Sequence, residues 1–397
     1  MNKKELDEKI QLLREQKQQE AVKTIVANNY RGLVDIVMRY GKTKIGIDTI
    51  DKFNNDRKTS YISLTKGITG IVPKVLWVTP SRQLRDKDIP NEFKKFGKED
   101  LLDLTKIVCW TSLHKEEGHY DLIIFDEYQC ITIDSVKNIY NGKLIADHAI
   151  GLTGTPPKDY AKNYILGKLK LETIITITID EAIEDNVVSD YRITVIKFDL
   201  DKFDTYISDS LGNKITERTQ YENITKVIDV MKANHQDVSR IAGVRRINIY
   251  NSKNRMIALN KLKNYLDSKS KRGLIFTPFK KMAEKFINYF HSTSTSIHYS
   301  AFQEGKINSL ALVKSGSVGH TYENIEYVVV SSPTQDKAGG TTQSWGRGLL
   351  YKEGVPLDIY FLCAKDTVEE TNWLPKTLSK LDPAKIQYTT IEELIWK

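Results

Sequence analysis

The sequence predicts an α/β protein of two domains, each a mostly parallel sheet flanked by helices. Three observations lead there. In both halves of the chain, short apolar strands alternate with polar or glycine-bearing turns and helical patterns, the signature of parallel sheets. The stretch Leu122-Ile123-Ile124-Phe125 is apolar on both faces, as a central parallel strand must be. The chain has 397 residues, and at about 150 residues per domain that accommodates two or three such units.

Taken in order, Lys3–Glu20 reads as a charged amphipathic helix. Strands are expected at Leu33–Met38, Lys74–Thr79, Ile107–Thr111, Asp121–Phe125 and His148–Thr153. Residues 200–250 are polar, carry both signs of charge and show no strong strand signal, so they read as helices and loops. A helix over Arg255–Leu266 precedes a strand at Gly273–Thr277, and a helical pattern over Phe279–Phe290 follows it. Strands at Ser309–Val313, Tyr327–Ser331 and Leu357–Leu362 complete the second set. The expected division is residues 1–190, a largely helical connection over 191–250, and a second domain over 251–397.

Composition narrows the function classes. Hydrophobic residues make up 40% and charged residues 28%, which excludes collagen-like and disordered chains. Cys109, Cys130 and Cys363 stand far apart, and the seven histidines form no H-E-x-x-H, so neither a disulfide framework nor a zinc site is expected. Met1–Glu20 is charged throughout and no apolar run approaches the ~18 residues of a membrane span, so a cytoplasmic protein without membrane contact is expected. Lys plus Arg number 59 against 51 acids, a formal charge of +8. That excess suits an anionic partner such as nucleic acid without requiring one.

Two constellations carry chemistry. Gly41-Lys42-Thr43 lies between an expected strand and an expected helix, the setting in which backbone N–H groups cradle phosphates. There Lys42 would neutralise the phosphates and Thr43 would ligate Mg²⁺. The full phosphate-loop pattern has glycine where this chain has Ile36. The second constellation is Asp126-Glu127 at the end of the buried strand, where α/β sheets bind ligands. Asp126 suits a magnesium ligand and Glu127 a base that orients and deprotonates water. A solvated strand end is the plain alternative for that pair when it is taken alone.

With these residues in place, the chain resembles superfamily 2 helicases and translocases of the DEAD/DEAH type. Gln18-Gln19-Glu20 resembles the glutamine motif that reads adenine. Arg39, Tyr40, Gly41, Lys42 and Thr43 match the phosphate loop, and Asp126 to Gln129 the acidic box. Val78 to Leu84, with Ser81 and Arg82, resembles motif Ia, and Thr111 stands where motif Ib would; both imply strand contacts. Thr153-Gly154-Thr155 resembles motif III, so Thr153 and Thr155 are implied in coupling. In the second half, Thr277 ends a likeness to motif IV, and Gly319 and Thr321 fall in a likeness to motif V. Gln343 and Arg347 fall in a likeness to motif VI, which makes Arg347 the implied arginine finger.

The resemblance implies two RecA-like domains with ATP and Mg²⁺ in the cleft between them. It implies movement along a nucleic-acid strand, single-stranded or branched DNA being favoured over RNA, by a monomer with or without a protein partner. Three departures stand out: Arg39-Tyr40 in place of small residues, Gly319-His320-Thr321 without the usual Asp, and Leu350 in place of a second arginine. The compact core and the Arg39-Tyr40 loop resemble phage-encoded members, which would place the protein in a host cytoplasm. Two other readings stay open: an ATPase motor or switch subunit that does not unwind, and a catalytically weak nucleic-acid-binding module.

Overall fold

The computed structural model describes every residue except 1–2, 38–39, 66–71, 155–159, 206, 209–211, 292–293, 314–321, 323, 334–353, 380 and 397. Helix α1 (Lys3–Ala27) runs past the expected Glu20, because Gln18, Ala21 and Ile25 form a buried stripe that fixes it to the first sheet. Strand β1 (Arg31–Ile36) leads to helix α2 (Lys42–Thr65). Strands β2 (Val75–Thr79), β3 (Thr105–Cys109), β4 (Gly118–Asp126), β5 (Leu144–Thr153) and β6 (Thr173–Ile177) follow. They form a six-stranded sheet in the order β3-β2-β4-β5-β1-β6, with every pair parallel. All of β2 and the last five residues of β4 are buried, as strands covered on both faces should be.

The second sheet begins earlier than the sequence suggested. Strand β7 (Tyr191–Phe198) lies inside the stretch expected to be a helical connection. A ribbon of β8 (Ile207–Ser208) and β9 (Lys214–Ile215) follows, then helices Glu217–Ala233 and Ser239–Tyr250, which meet the helical expectation. After helix Lys253–Ser268 come β10 (Gly273–Thr277), β11 (Tyr289–Phe290), β12 (Ser309–Val313), β13 (Tyr327–Val330), β14 (Leu357–Ala364) and β15 (Ile386–Thr389). The order is β11-β12-β10-β13-β14-β7-β15, again with every pair parallel. Strand β7 therefore sits between β14 and β15 as an interior strand of the second sheet, although it falls within the stretch expected to connect the domains.

The helix expected over Phe279–Phe290 shrinks to Lys280–Ala283. Met282, Ala283 and Phe286 are buried at the helical spacing, but Ile287 is exposed and the chain then extends so that β11 pairs with β12. An open sheet edge outweighs a helical pattern here. Each sheet packs apolar side chains on both faces. One continuous cluster runs from Ile36, Tyr40 and Leu152 through Ala182, Val187 and Val188 to Tyr191, Ile193 and Ile359, so it spans both domains. Among the described residues no helix is long and apolar enough to cross a membrane.

Candidate functional site

Parallel pairing places every strand's carboxyl end on the same side of its sheet. In the first sheet Asp35 pairs with Thr153, Asp126 with Leu152, Val78 with Phe125, and Thr79 with Cys109. The Gly41-Lys42-Thr43 turn, the Ser81-Arg82 turn, Thr111, the Asp126-Glu127 pair and Thr153 therefore share one edge. This is the edge where open α/β sheets bind ligands.

The turn after β1 is held from three directions. Gly41 adopts φ +85°, a left-handed conformation that favours glycine, and a Cβ there would run into the Gln18 amide. Gln18 is buried on α1 and donates from Nε2 to the Tyr40 carbonyl at 2.8 Å. Its Oε1 is buried and finds no hydrogen-bond partner among the described residues. Tyr40 is fully buried, and its hydroxyl donates to Asp185 Oδ2 at 2.5 Å. Helix α2 starts at Lys42, whose Nζ donates to the Ile36 carbonyl at 3.2 Å, and Thr43 stands half-buried in its first turn. Arg39 lies outside the described residues.

Across the edge, Asp126 is buried at the end of β4. Burial first, and then the Glu127 charge, push its carboxyl well above the usual carboxylate range, to about 7; the Lys42 charge pulls the other way. Lys42 and Asp126 thus act on each other electrostatically although 84 positions separate them in sequence. Glu127 takes φ 49°, a left-handed backbone at a non-glycine residue that costs on the order of 1 kcal/mol. The bend starts the short 3₁₀ turn Tyr128–Cys130. Gln129 Nε2 donates to Glu127 Oε2 at 2.5 Å, and the Thr153 hydroxyl donates to Gln129 Oε1 at 2.6 Å. A relay Glu127–Gln129–Thr153 therefore joins the ends of β4 and β5. Lys162 donates to the Gln129 carbonyl, and Trp110 Nε1 donates to the Asp126 carbonyl at 2.9 Å.

Of the residues expected to touch a strand, Arg82 and Thr111 are exposed. Ser81 is half-buried, and its Oγ accepts the Leu84 N–H at 3.2 Å. Thr277 is buried, and its hydroxyl donates toward the carbonyls of Leu312, at 3.1 Å, and Phe279, at 3.3 Å. Thr155, Gly319, Thr321, Gln343 and Arg347 lie outside the described residues. Sequence reasoning missed Gln129 as a relay and Asp185 as the anchor of Tyr40. The first stood within the acidic box; nothing in the sequence marked the second.

No family model and no curated protein sequence matches the chain. Solved structures do match. The chain is similar to an ATP-dependent Type ISP restriction-modification enzyme, LlaBIII, bound to DNA, with a TM-score of 0.61 and 12% identity. That match covers 94% of this chain and 31% of the enzyme, so the chain spans about a third of the enzyme's length. It is also similar to S. cerevisiae Dbp5 bound to RNA and ADP BeF3, with a TM-score of 0.57 and 12% identity over 96% of this chain and 91% of Dbp5. At this identity the likeness is one of fold. The chain shares the fold of these structures, two RecA-like domains each built on a parallel sheet flanked by helices.

Proposed function

We propose that the protein is an ATP-dependent nucleic-acid helicase or translocase, with DNA favoured over RNA. The observation that carries this reading is the meeting of Lys42, Asp126 and Glu127 on one carboxyl edge, where the Lys42 charge acts on a buried Asp126. A phosphate-binding cation, a metal-binding carboxylate and a neighbouring base are the parts that phosphoanhydride hydrolysis needs.

In this reading Lys42 exchanges the Ile36 carbonyl for the terminal phosphates, and the N–H groups that open α2 complete the cradle. The unpartnered Gln18 Oε1 accepts from the exocyclic amine of adenine. Among the described residues no group of three or more His, Cys, Asp or Glu forms a metal cage. The donors present, Thr43 and Asp126, fit an ion that takes its other ligands from phosphate and water, as Mg²⁺ does. Bound there, Mg²⁺ would neutralise phosphate charge. Glu127 orients a water and takes its proton, with its carboxylate aimed by Gln129. Thr153, and Thr155 beyond it, carry the state of that carboxylate to the strand-binding surface formed by Ser81, Arg82, Thr111 and Thr321. The motif likeness assigns nucleotide contacts to Gly319 and Gln343 and the terminal-phosphate cation to Arg347, so in this reading hydrolysis needs both domains.

The match to a third of a DNA-bound, ATP-dependent enzyme favours a second reading, a motor that works beside other domains without separating strands itself. One experiment addresses both. ATP hydrolysis is compared with single-stranded DNA, duplex DNA, forked DNA and RNA, and strand separation is followed on the fork. Hydrolysis stimulated most by single-stranded or forked DNA is expected. Stimulation without separation selects the motor reading, and no hydrolysis under any condition rejects both.

A further inference from the structure

Two tryptophans flank Asp126. On one face of the sheet Trp110 stacks on Phe125, with ring centroids 5.4 Å apart, and its Nε1 holds the Asp126 carbonyl. The other face is set by β2, whose register with β4 pairs Trp77 with Ile124 and Val78 with Phe125. One residue on, Thr79 stands beside Asp126. Paired residues of neighbouring strands point to the same face, and so do residues two apart on one strand. Trp77, Thr79 and the Asp126 side chain therefore lie on one face, under helix α2. A Cβ on Gly46 of that helix would come within 2.5 Å of the Trp77 ring, and Phe93 meets the ring edge-on at 6.0 Å. The indole is thus wedged in place, and its N–H favours the charged form of the Asp126 carboxyl. Trp77 Nε1 and Thr79 Oγ1 are both sealed from solvent, and neither has a hydrogen-bond partner of normal geometry among the described residues. Folds keep few such groups, because a buried donor without a partner is costly.

We propose that Trp77 and Thr79 are positioning residues for Asp126: the indole N–H and the hydroxyl hold its carboxylate from within the sheet, which leaves an oxygen free to ligate Mg²⁺. The inference rests on the ATP reading above and adds to it the residues that aim the metal-binding carboxylate. A carboxylate offers two oxygens and about four lone-pair sites, so ligating one cation leaves acceptor capacity unused. At a buried strand end that capacity is met by donors of the protein, and β2 supplies two on the correct face. Side chains that hold a metal ligand in this way orient it and tune its affinity. The wedge also joins the two halves of the site. The ring that Gly46 admits lies under the helix that Lys42 opens, so one indole sets the phosphate-loop helix against the acidic strand end.

The test reads binding without turnover. A fluorescent, non-hydrolysable ATP analogue is titrated into the full chain in excess EDTA and again in Mg²⁺, and the ratio of the two affinities measures the contribution of the metal. Trp77→Phe keeps a ring against Gly46 and Phe93, Thr79→Val keeps the side-chain shape, and Thr79→Ser keeps the hydroxyl. Trp77→Phe and Thr79→Val should each lower the ratio about tenfold, with affinity in EDTA unchanged. Thr79→Ser should restore the ratio of the unaltered chain. Thr79→Val should also melt at the same temperature or higher, since it removes a buried hydroxyl that has no partner in the free protein. A purely structural role would not yield a protein that is at least as stable yet gains less from Mg²⁺. If Trp77→Phe does not fold, Thr79→Val decides. An unchanged ratio, or equal losses in EDTA and in Mg²⁺, overturns the positioning role and leaves the ATP reading standing. So does binding by the unaltered chain that Mg²⁺ fails to strengthen. No binding by the unaltered chain in either condition overturns both.

Discussion

Lys42 sits at the first position of α2 with its ammonium on a carbonyl of its own loop, which the proposed function has it exchange for phosphate. Lys42→Ala should leave the fold intact, as circular dichroism would show, and cost on the order of 3 kcal/mol of transition-state stabilisation, about a hundredfold in hydrolysis. An unchanged rate would remove the phosphate-loop assignment. Glu127→Gln keeps a hydrogen-bonding side chain beside Gln129 but cannot take a proton. It should bind ATP normally, turn over about 10²–10⁴-fold more slowly, and hold nucleic acid longer when ATP is present. Normal turnover in that variant would make the acidic pair structural. That Lys42, Thr43, Asp126, Glu127 and Thr153 would fall at strand ends was legible in the sequence, because each sits in or just after a short string that ends an apolar run. The bonds of Tyr40 to Asp185 and of Gln18 to Tyr40 were not, since they join positions 145 and 22 residues apart and exist only once the chain has folded.

At the level of elements, the interior strands could be read from their unbroken apolar runs, whereas the edges β6, β11 and β15 are short and partly exposed. Strand β7 was hidden for another reason. Its run Tyr191-Arg192-Ile193-Thr194-Val195-Ile196 is rich in β-branched residues, but it directly precedes the polar stretch that set the expected boundary. Behind this sheet, Arg255 and Glu369 form a fully buried ion pair at 2.6 Å, and Arg255 also donates to the carbonyls of Ile249, at 3.1 Å, and Ser331. Removing one partner strands a charge in the core. Arg255→Met should destabilise the protein by about 3–5 kcal/mol, and adding Glu369→Leu should restore much of the loss. Urea midpoints of the two variants check this, and a double variant no better than the single one would show that the carbonyl bonds dominate.

For the whole molecule, a continuous apolar cluster from Ile36 to Ile359 means that the two sheets share packing as well as a chain connection. A strand crossing both domains is expected to be held through its phosphates. For about four to six neutralised phosphates, affinity should fall with salt at a log–log slope near −3 to −4. Salt-independent or sequence-selective binding would contradict a motor that tracks a backbone. The expected closure across the domains turns on Arg347, since Leu350 supplies no second guanidinium. Arg347→Ala should lose about 10³-fold in turnover with only a modest change in ATP affinity, while Lys352→Ala keeps most activity. The reverse pattern, measured at saturating ATP and nucleic acid, would shift the cross-domain cation to Lys352.

The position of β7 between β14 and β15 also governs how the protein is made. The first sheet can close as soon as β6 has been synthesised, but β7 emerges next and its first partner follows roughly 160 residues later, a wait on the order of ten seconds or more at ~5–20 residues per second. Throughout that interval the nascent chain exposes an unpaired apolar strand bearing Ile193, Val195, Ile196 and Phe198. Shielding of this strand on the ribosome is therefore expected to bear on soluble yield in a cell alongside the stability of the finished fold.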